Sequence, residues 1–176
     1  MKCRKNTGEC EMIALKIEDM KQFTARLFMG ETFDHFLIRE AEIITFNVFT
    51  IDGHIRQGYY SEEELEENQL EELSSWKMIR PYCFSLIKGK KLPGSFQIVL
   101  QMPPQAVEKF VAARQMPLRA DQVNGLYLNI RYEEGKLFCV TGTSVSFFTL
   151  DKTLDSEWDQ AVRSFLKKNE IIFEEE

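Results

Sequence analysis

The chain has 176 residues, 44% of them apolar, with fourteen Phe and a formal net charge of −6 at pH 7. That length suits one domain burying roughly two-thirds of the surface its unfolded chain exposes, and the composition excludes disordered, collagen-like and disulfide-stapled classes. The charge is uneven. Of 28 acids, ten lie in two clusters (seven from Glu62 to Glu72, three from Glu174 to Glu176), which leaves 18 acids against 22 Lys and Arg elsewhere.

Residues 1–11 lack the apolar core of a signal peptide and read as a polar arm ahead of a single α+β domain over 12–176. Cys3 and Cys10 have no His beside them to complete a metal site, and Cys83 and Cys139 lie in apolar runs. Such scattered thiols point to the reducing cytoplasm, with no metal and no cofactor implied. No apolar run approaches the length that spans a bilayer, so no membrane contact is expected.

Patterned sequence begins with a short strand at 12–17. A helix over 19–29 follows, with Met20, Phe23, Leu27 and Phe28 on one face and Gly30 as its stop. Residues 34–50 are strand-like, with a break expected near 40–42. Asp52-Gly53 signals a two-residue hairpin that returns through 54–60. Ser61 followed by Glu64 has capping-box spacing and predicts a helix over 61–73. A strand is expected at 76–86, a loop at 88–95 and a strand at 96–102 with Phe96, Ile98, Leu100 and Met102 on one face. Pro104 suits the first turn of a helix through Arg114, whose buried stripe is Val107, Phe110 and Val111. A meander over 126–132, 137–141 and 145–150 leads to a closing helix over 155–168 and a last strand at 171–173. The sheet is expected to be largely antiparallel, with helices on one face.

The order of elements recurs. Residues 12–73 and 96–168 each run strand, helix, three strands, helix, a pseudo-repeat of two β-α-β-β-β units. This organisation resembles one domain of the DNA sliding clamps. Phe96-Gln97-Ile98-Val99-Leu100 leading into 104–114 is similar to a clamp's opening strand and helix. Gly135-Lys136-Leu137 and Val140-Thr141-Gly142-Thr143-Ser144 resemble the clamp meander, although Ser144 stands where the bacterial turn carries an acid. The chain also resembles the many short bacterial families with no assigned function. The clamp resemblance implies sequence-independent contact with DNA phosphate, through Lys21, Gln22, Arg26 and Lys109 on the helices at 19–29 and 104–114.

Other constellations carry two readings each. The loop Lys88-Gly89-Lys90-Lys91-Leu92-Pro93-Gly94 could hold phosphate by charge and free amides, or be a hairpin loop that lysines protect from edge pairing. It lacks the spacing of a P-loop. His35 beside Asp34, and His54 beside Asp52, suggest a base with its orienter, while turn chemistry explains Asp52-Gly53 alone. Glu40 and Glu42 share a strand face, as paired catalytic acids or as surface partners of Arg39. Phe46, Phe49, Tyr59, Tyr60, Phe147 and Phe148 could stack bases, but period-2 aromatics are what sheets bury, and most are placed in the core. No nucleophile elbow, zinc-protease pair or kinase signature is present, so no catalytic residue is assigned. The leading expectation is a non-enzymatic cytoplasmic binding or interaction protein whose partners are DNA, another protein or further copies of itself. The alternative is an enzyme using Glu40, Glu42, His35 or His54 in a sheet-lined cleft.

Overall fold

A computed structural model describes residues 10–176. The strands are β1 (Cys10–Ile17), β2 (Leu37–Ile44), β3 (Val48–Asp52), β4 (Ser95–Gln101), β5 (Val123–Glu133), β6 (Lys136–Val145) and β7 (Phe173–Glu175). The helices are α1 (Met20–Phe28), α2 (Glu62–Glu67), α3 (Trp76–Ile87), α4 (Pro104–Ala113) and α5 (Thr153–Lys168). All strand pairs are antiparallel, in the order β3-β2-β4-β5-β6-β1-β7.

One core lies between the sheet and the four longer helices, α1, α3, α4 and α5. Alternation along the strands puts Ile98 and Leu100 of β4, Leu126, Leu128 and Ile130 of β5, and Leu137 and Cys139 of β6 on the helix side. Two tryptophans lock helices to it. Trp76 of α3 donates its indole N–H to the Leu27 carbonyl at 2.9 Å, and Trp158 of α5 donates to the Tyr127 carbonyl at 2.9 Å. Each ring is buried with its one donor satisfied, which is the condition for Trp in a core. Beside Trp158, Thr141 and Thr143 of β6 donate hydroxyls to Asp159 and Asp155 of α5. Burial raises the Asp159 carboxyl above its ordinary value, against the opposing effects of the Thr141 hydrogen bond and Arg163.

The antiparallel α+β class and the helices α1, α4 and α5 match the sequence reading closely. Several local expectations are corrected. Residues 76–86 form a helix, because Trp76, Ile79, Cys83 and Leu86 recur at helical spacing and Ser75 caps the Met78 amide. The helix expected over 61–73 has its capping box but ends at Glu67, where Gln69 takes a left-handed conformation with φ of 52°. The hairpin turn joining β2 to β3 is at 45–47, where the Thr45 amide donates to the Asn47 carbonyl at 3.0 Å.

Gly53 instead continues the ladder from β3, donating to the Arg39 carbonyl at 2.8 Å. It is glycine because a Cβ there would lie 1.8 Å from the Ile38 carbonyl oxygen. The return strand expected at 54–60 reduces to a single bridge between His54 and Leu73. The third meander strand at 145–150 is mostly loop, since β6 takes up 141–145. The polar arm begins outside the described residues, and its last two residues, Cys10 and Glu11, belong to β1.

Each half therefore contributes β-α-β-β rather than three strands after the helix. The order recurs, yet the pairing does not repeat: β4 pairs with β5 of its own half, whereas β1 pairs with β6 and β7. The helices pack in two pairs. Phe28 of α1 packs on Trp76 of α3, and Phe110 of α4 packs on Trp158 of α5.

Candidate functional site

Two places in the structure each gather several of the residues singled out in the sequence. The first is a groove of about 400 Å³ between α1, the C-terminal half of α3 and the loop at 88–94. Local sequence builds each wall. Asp19 caps α1 by accepting the Gln22 amide at 2.9 Å, and the chain leaves α1 at Gly30, whose amide returns to the Ala25 carbonyl. α3 stops where the Lys88 amide bonds the Phe84 carbonyl at 2.8 Å. The loop then turns at Gly89, whose φ of 150° suits a residue without Cβ, and is pinned to β2 by the Gly94 amide on the Ile44 carbonyl at 2.8 Å.

The floor of this groove is apolar, with Phe28, Phe84, Ile87, Phe96 and Tyr132 prominent. Phe96 stacks on Tyr132 at 5.3 Å and meets Phe28 edge-on at 5.7 Å. Met29 and Leu92 remain 58% and 83% exposed at its edge, so the rim offers apolar surface to a ligand. Lys21, Lys88 and Lys91 line the same groove and are exposed. Three lysines separated by up to seventy positions in sequence thus surround one apolar concavity.

The remaining predicted phosphate contacts do not join them at the wall. Lys90 is in the loop but does not line the groove. Arg26 reaches Glu170 at 3.8 Å, Gln22 lies on the same helix as Lys21, and Lys109 stands on α4, which packs against β5 and α5. The floor residues of α3 were missed because 76–86 was read as a strand; Phe84 and Ile87, one helical turn apart, were the available signal.

A second depression, about 430 Å³ and broadly open, lies on the β2-β3 side of the sheet and brings together Glu40, Glu42, Asp52 and His54 with Arg39. The His54 ring nitrogen Nδ1 lies 2.6 Å from Asp52, and Nε2 lies 3.4 Å from Glu72. Hydrogen bonds from the His54 backbone N–H, and then from its ring, hold the Asp52 carboxyl below the usual range. Both ring nitrogens therefore face carboxylates, and the His54 side chain is about half exposed. A general base needs one nitrogen aimed at substrate in a site that excludes water.

His35 is elsewhere, with Phe36 at 4.3 Å on one side and Phe165 at 5.4 Å, and burial against these rings lowers its pKa. Its neighbour Asp34 is taken by Arg80 at 2.8 and 3.1 Å. Among the described residues no cluster of His, Cys, Asp and Glu could hold a metal ion. No described helix is long and apolar enough to cross a membrane. The aromatics expected in the core are partly outside it: Phe46, Tyr59 and Phe148 are 84%, 77% and 88% exposed.

Fold and groove together define an α+β protein with a seven-stranded antiparallel sheet, its longer helices on one face, and an apolar groove rimmed by lysines. The chain belongs to a family of unknown function, DUF5721, whose sequence profile matches residues 26–174. No curated protein and no solved structure matches it.

Proposed function

We propose that this chain is a non-enzymatic binding protein, and that its site is the groove between α1, α3 and the loop at 88–94. The ligand we assign to it is an anionic amphiphile, an apolar body carrying a carboxylate or phosphate. One observation carries this reading: Lys21, Lys88 and Lys91, far apart in sequence, line a groove floored by Phe28, Phe84, Ile87 and Phe96. Burying an apolar ligand surface there gains roughly 25 cal/mol per Å². The ammonium groups add orientation and selectivity for charge, and the volume falls within the range of ordinary ligand sites. The buried, unpaired thiols Cys83 and Cys139 support a reducing, cytoplasmic setting. A clamp-like role on duplex DNA is a narrower proposal, which draws only on the recurring β-α-β-β order and on the exposed Lys21, Lys90 and Lys109.

The test is calorimetric titration with dodecanoate, dodecyl phosphate, dodecanol and a short duplex oligonucleotide. Both anions should bind, with dodecanol weaker by about tenfold, the worth of one charge-assisted contact. Lys21→Glu/Lys88→Glu/Lys91→Glu should remove the preference for anions, and Ala25→Trp, on the groove wall, should remove all amphiphile binding. Failure of both anions to bind, or binding unchanged in both variants, refutes the assignment. Duplex binding that falls steeply with salt and is lost in the lysine variant but not in Ala25→Trp would return this face to nucleic acid.

A further inference from the structure

The two edges of the sheet are finished differently. β7 has three residues, two of them Glu, and its Glu175 is held by Arg163 in a two-pronged pair. Short length and charge are the usual protections of an edge. β3, Val48-Phe49-Thr50-Ile51-Asp52, forms the opposite edge and contains neither Lys, Arg nor Pro. At its start Val48 is 59% exposed and Phe46 84% exposed, with Phe46 edge-on to Phe49 at 5.5 Å.

The phase of the ladder shows which backbone groups this edge offers. Thr45 and Asn47, and Gly53 and Arg39, are hydrogen-bonded partners, and β2 and β3 pair in a single register between them. Antiparallel strands alternate bonded and non-bonded pairs, so Phe49 and Ile51 bond inward to β2. The N–H and C=O groups of Val48, Thr50 and Asp52 consequently point outward, away from the sheet.

We propose that β3 pairs antiparallel with β3 of a second copy of this chain, joining the two sheets into one across a two-fold axis at Thr50. This register uses all the outward-pointing groups of Val48, Thr50 and Asp52 in both copies. It sets Thr50 against Thr50 and Phe49 against Ile51, the Thr–Thr and aromatic–β-branched pairs that stabilise cross-strand contacts. Val48 meets Asp52, so no like charges within the strand are opposed, and Phe46 is carried to the level of His54. A strand that is complementary to itself favours a second copy over a foreign peptide, and an isologous contact closes at two. The protected β7 edge stops further growth.

Sedimentation equilibrium from about 1 µM to about 200 µM, the span of weak to moderate interfaces, tests this. The wild type should pass from the mass of one chain to that of two. Thr50→Lys sets two ammonium groups opposite each other and should be monomeric throughout. Thr50→Glu should be monomeric alone, and an equimolar mixture of the two variants should recover the double mass. Thr50→Pro, which removes an outward N–H that the fold itself does not use, should also be monomeric. Circular dichroism of each variant controls for folding. A wild type that stays at one chain, a mass beyond two chains, or a Thr50→Lys variant as dimeric as wild type would each overturn the proposal. So would a mixture that fails to recover the double mass.

Discussion

Arg80 of α3 joins the groove's two helical walls through the bend between β2 and α1, and removing it should be costly. Its Nε and one terminal nitrogen donate to the two Asp34 oxygens at 2.8 and 3.1 Å, and Nη1 donates to the Phe28 carbonyl at 3.3 Å. The side chains are only 15% and 14% exposed, and the pairing raises the Arg80 pKa further above its ordinary value. Exposed ion pairs contribute about 0–1 kcal/mol, whereas stripping one partner from a buried pair costs about 3–5 kcal/mol. With a seventh of each group still wetted, Arg80→Met should cost about 2–4 kcal/mol, lowering the thermal midpoint by about 5–15 °C at this chain length. Asp34→Leu should cost a similar amount for the opposite reason, an unpaired guanidinium. The double variant should recover much of the loss, because an apolar pair restores a balanced interior. Thermal and urea unfolding of the four proteins gives the coupling directly, expected at about 3 kcal/mol or more. A coupling below about 0.5 kcal/mol would mean that the pair is screened as a surface pair is, and the argument from burial would fail.

Gly53→Ala should destabilise by about 2–3 kcal/mol or prevent folding, since its Cβ meets fixed backbone. Gly94→Ala should be nearly neutral, because its nearest neighbour is an ordinary 3.5 Å contact. Burial pushes the Cys83 thiol up to about 12, and Cys139 higher still, so peptide mapping after iodoacetamide should find both unlabelled until the protein unfolds. His35 has a lowered pKa, so below its ordinary 6.5 the unfolded chain binds the extra proton more readily; stability should fall from pH 7 to pH 5 in wild type and less in His35→Phe. Asp159 has a raised pKa, so its contribution is lost as pH rises above the ordinary 3.8; Asp159→Asn should raise the midpoint at pH 7 but not at pH 3, while still accepting the Thr141 hydroxyl.

Much of the fold was legible where local and tertiary demands agreed. α1 announces itself through its 3.6-residue stripe and Gly30, and both act in the structure as the pattern says, while Asp19 serves as its cap. β4 and β5 set Ile98, Leu100, Leu126, Leu128 and Ile130 on the helix side as period-2 spacing says, although Val99, Tyr127 and Asn129 on the other face are buried as well. The misreadings share a cause. Asp52-Gly53 is a strong turn signal, but Gly53 is required by a close backbone approach to Ile38, a contact far apart in sequence. At 76–87, Pro81 and a mixture of aromatic and branched residues mask a helical stripe. That stripe is decided by what Trp76 and Cys83 bury against, which only the assembled sheet supplies.

The candidate site was legible in its charges and not in its floor. Lys21 stands out in sequence through the clamp resemblance, and Lys88 and Lys91 through the glycine-bounded loop that carries them. What unites them is that α3 brings Phe84 and Ile87 beneath α1, so the lysines become the rim of an apolar space instead of a scattered basic surface. Two rival readings then separate on physical grounds. A phosphate backbone needs only the charge, and its binding would survive a blocked groove. An amphiphile needs both the charge and the floor, and would lose affinity when either is removed. The groove assignment stands on that second dependence, which makes Ala25→Trp the decisive variant: from the α1 wall it fills the groove and leaves every lysine in place.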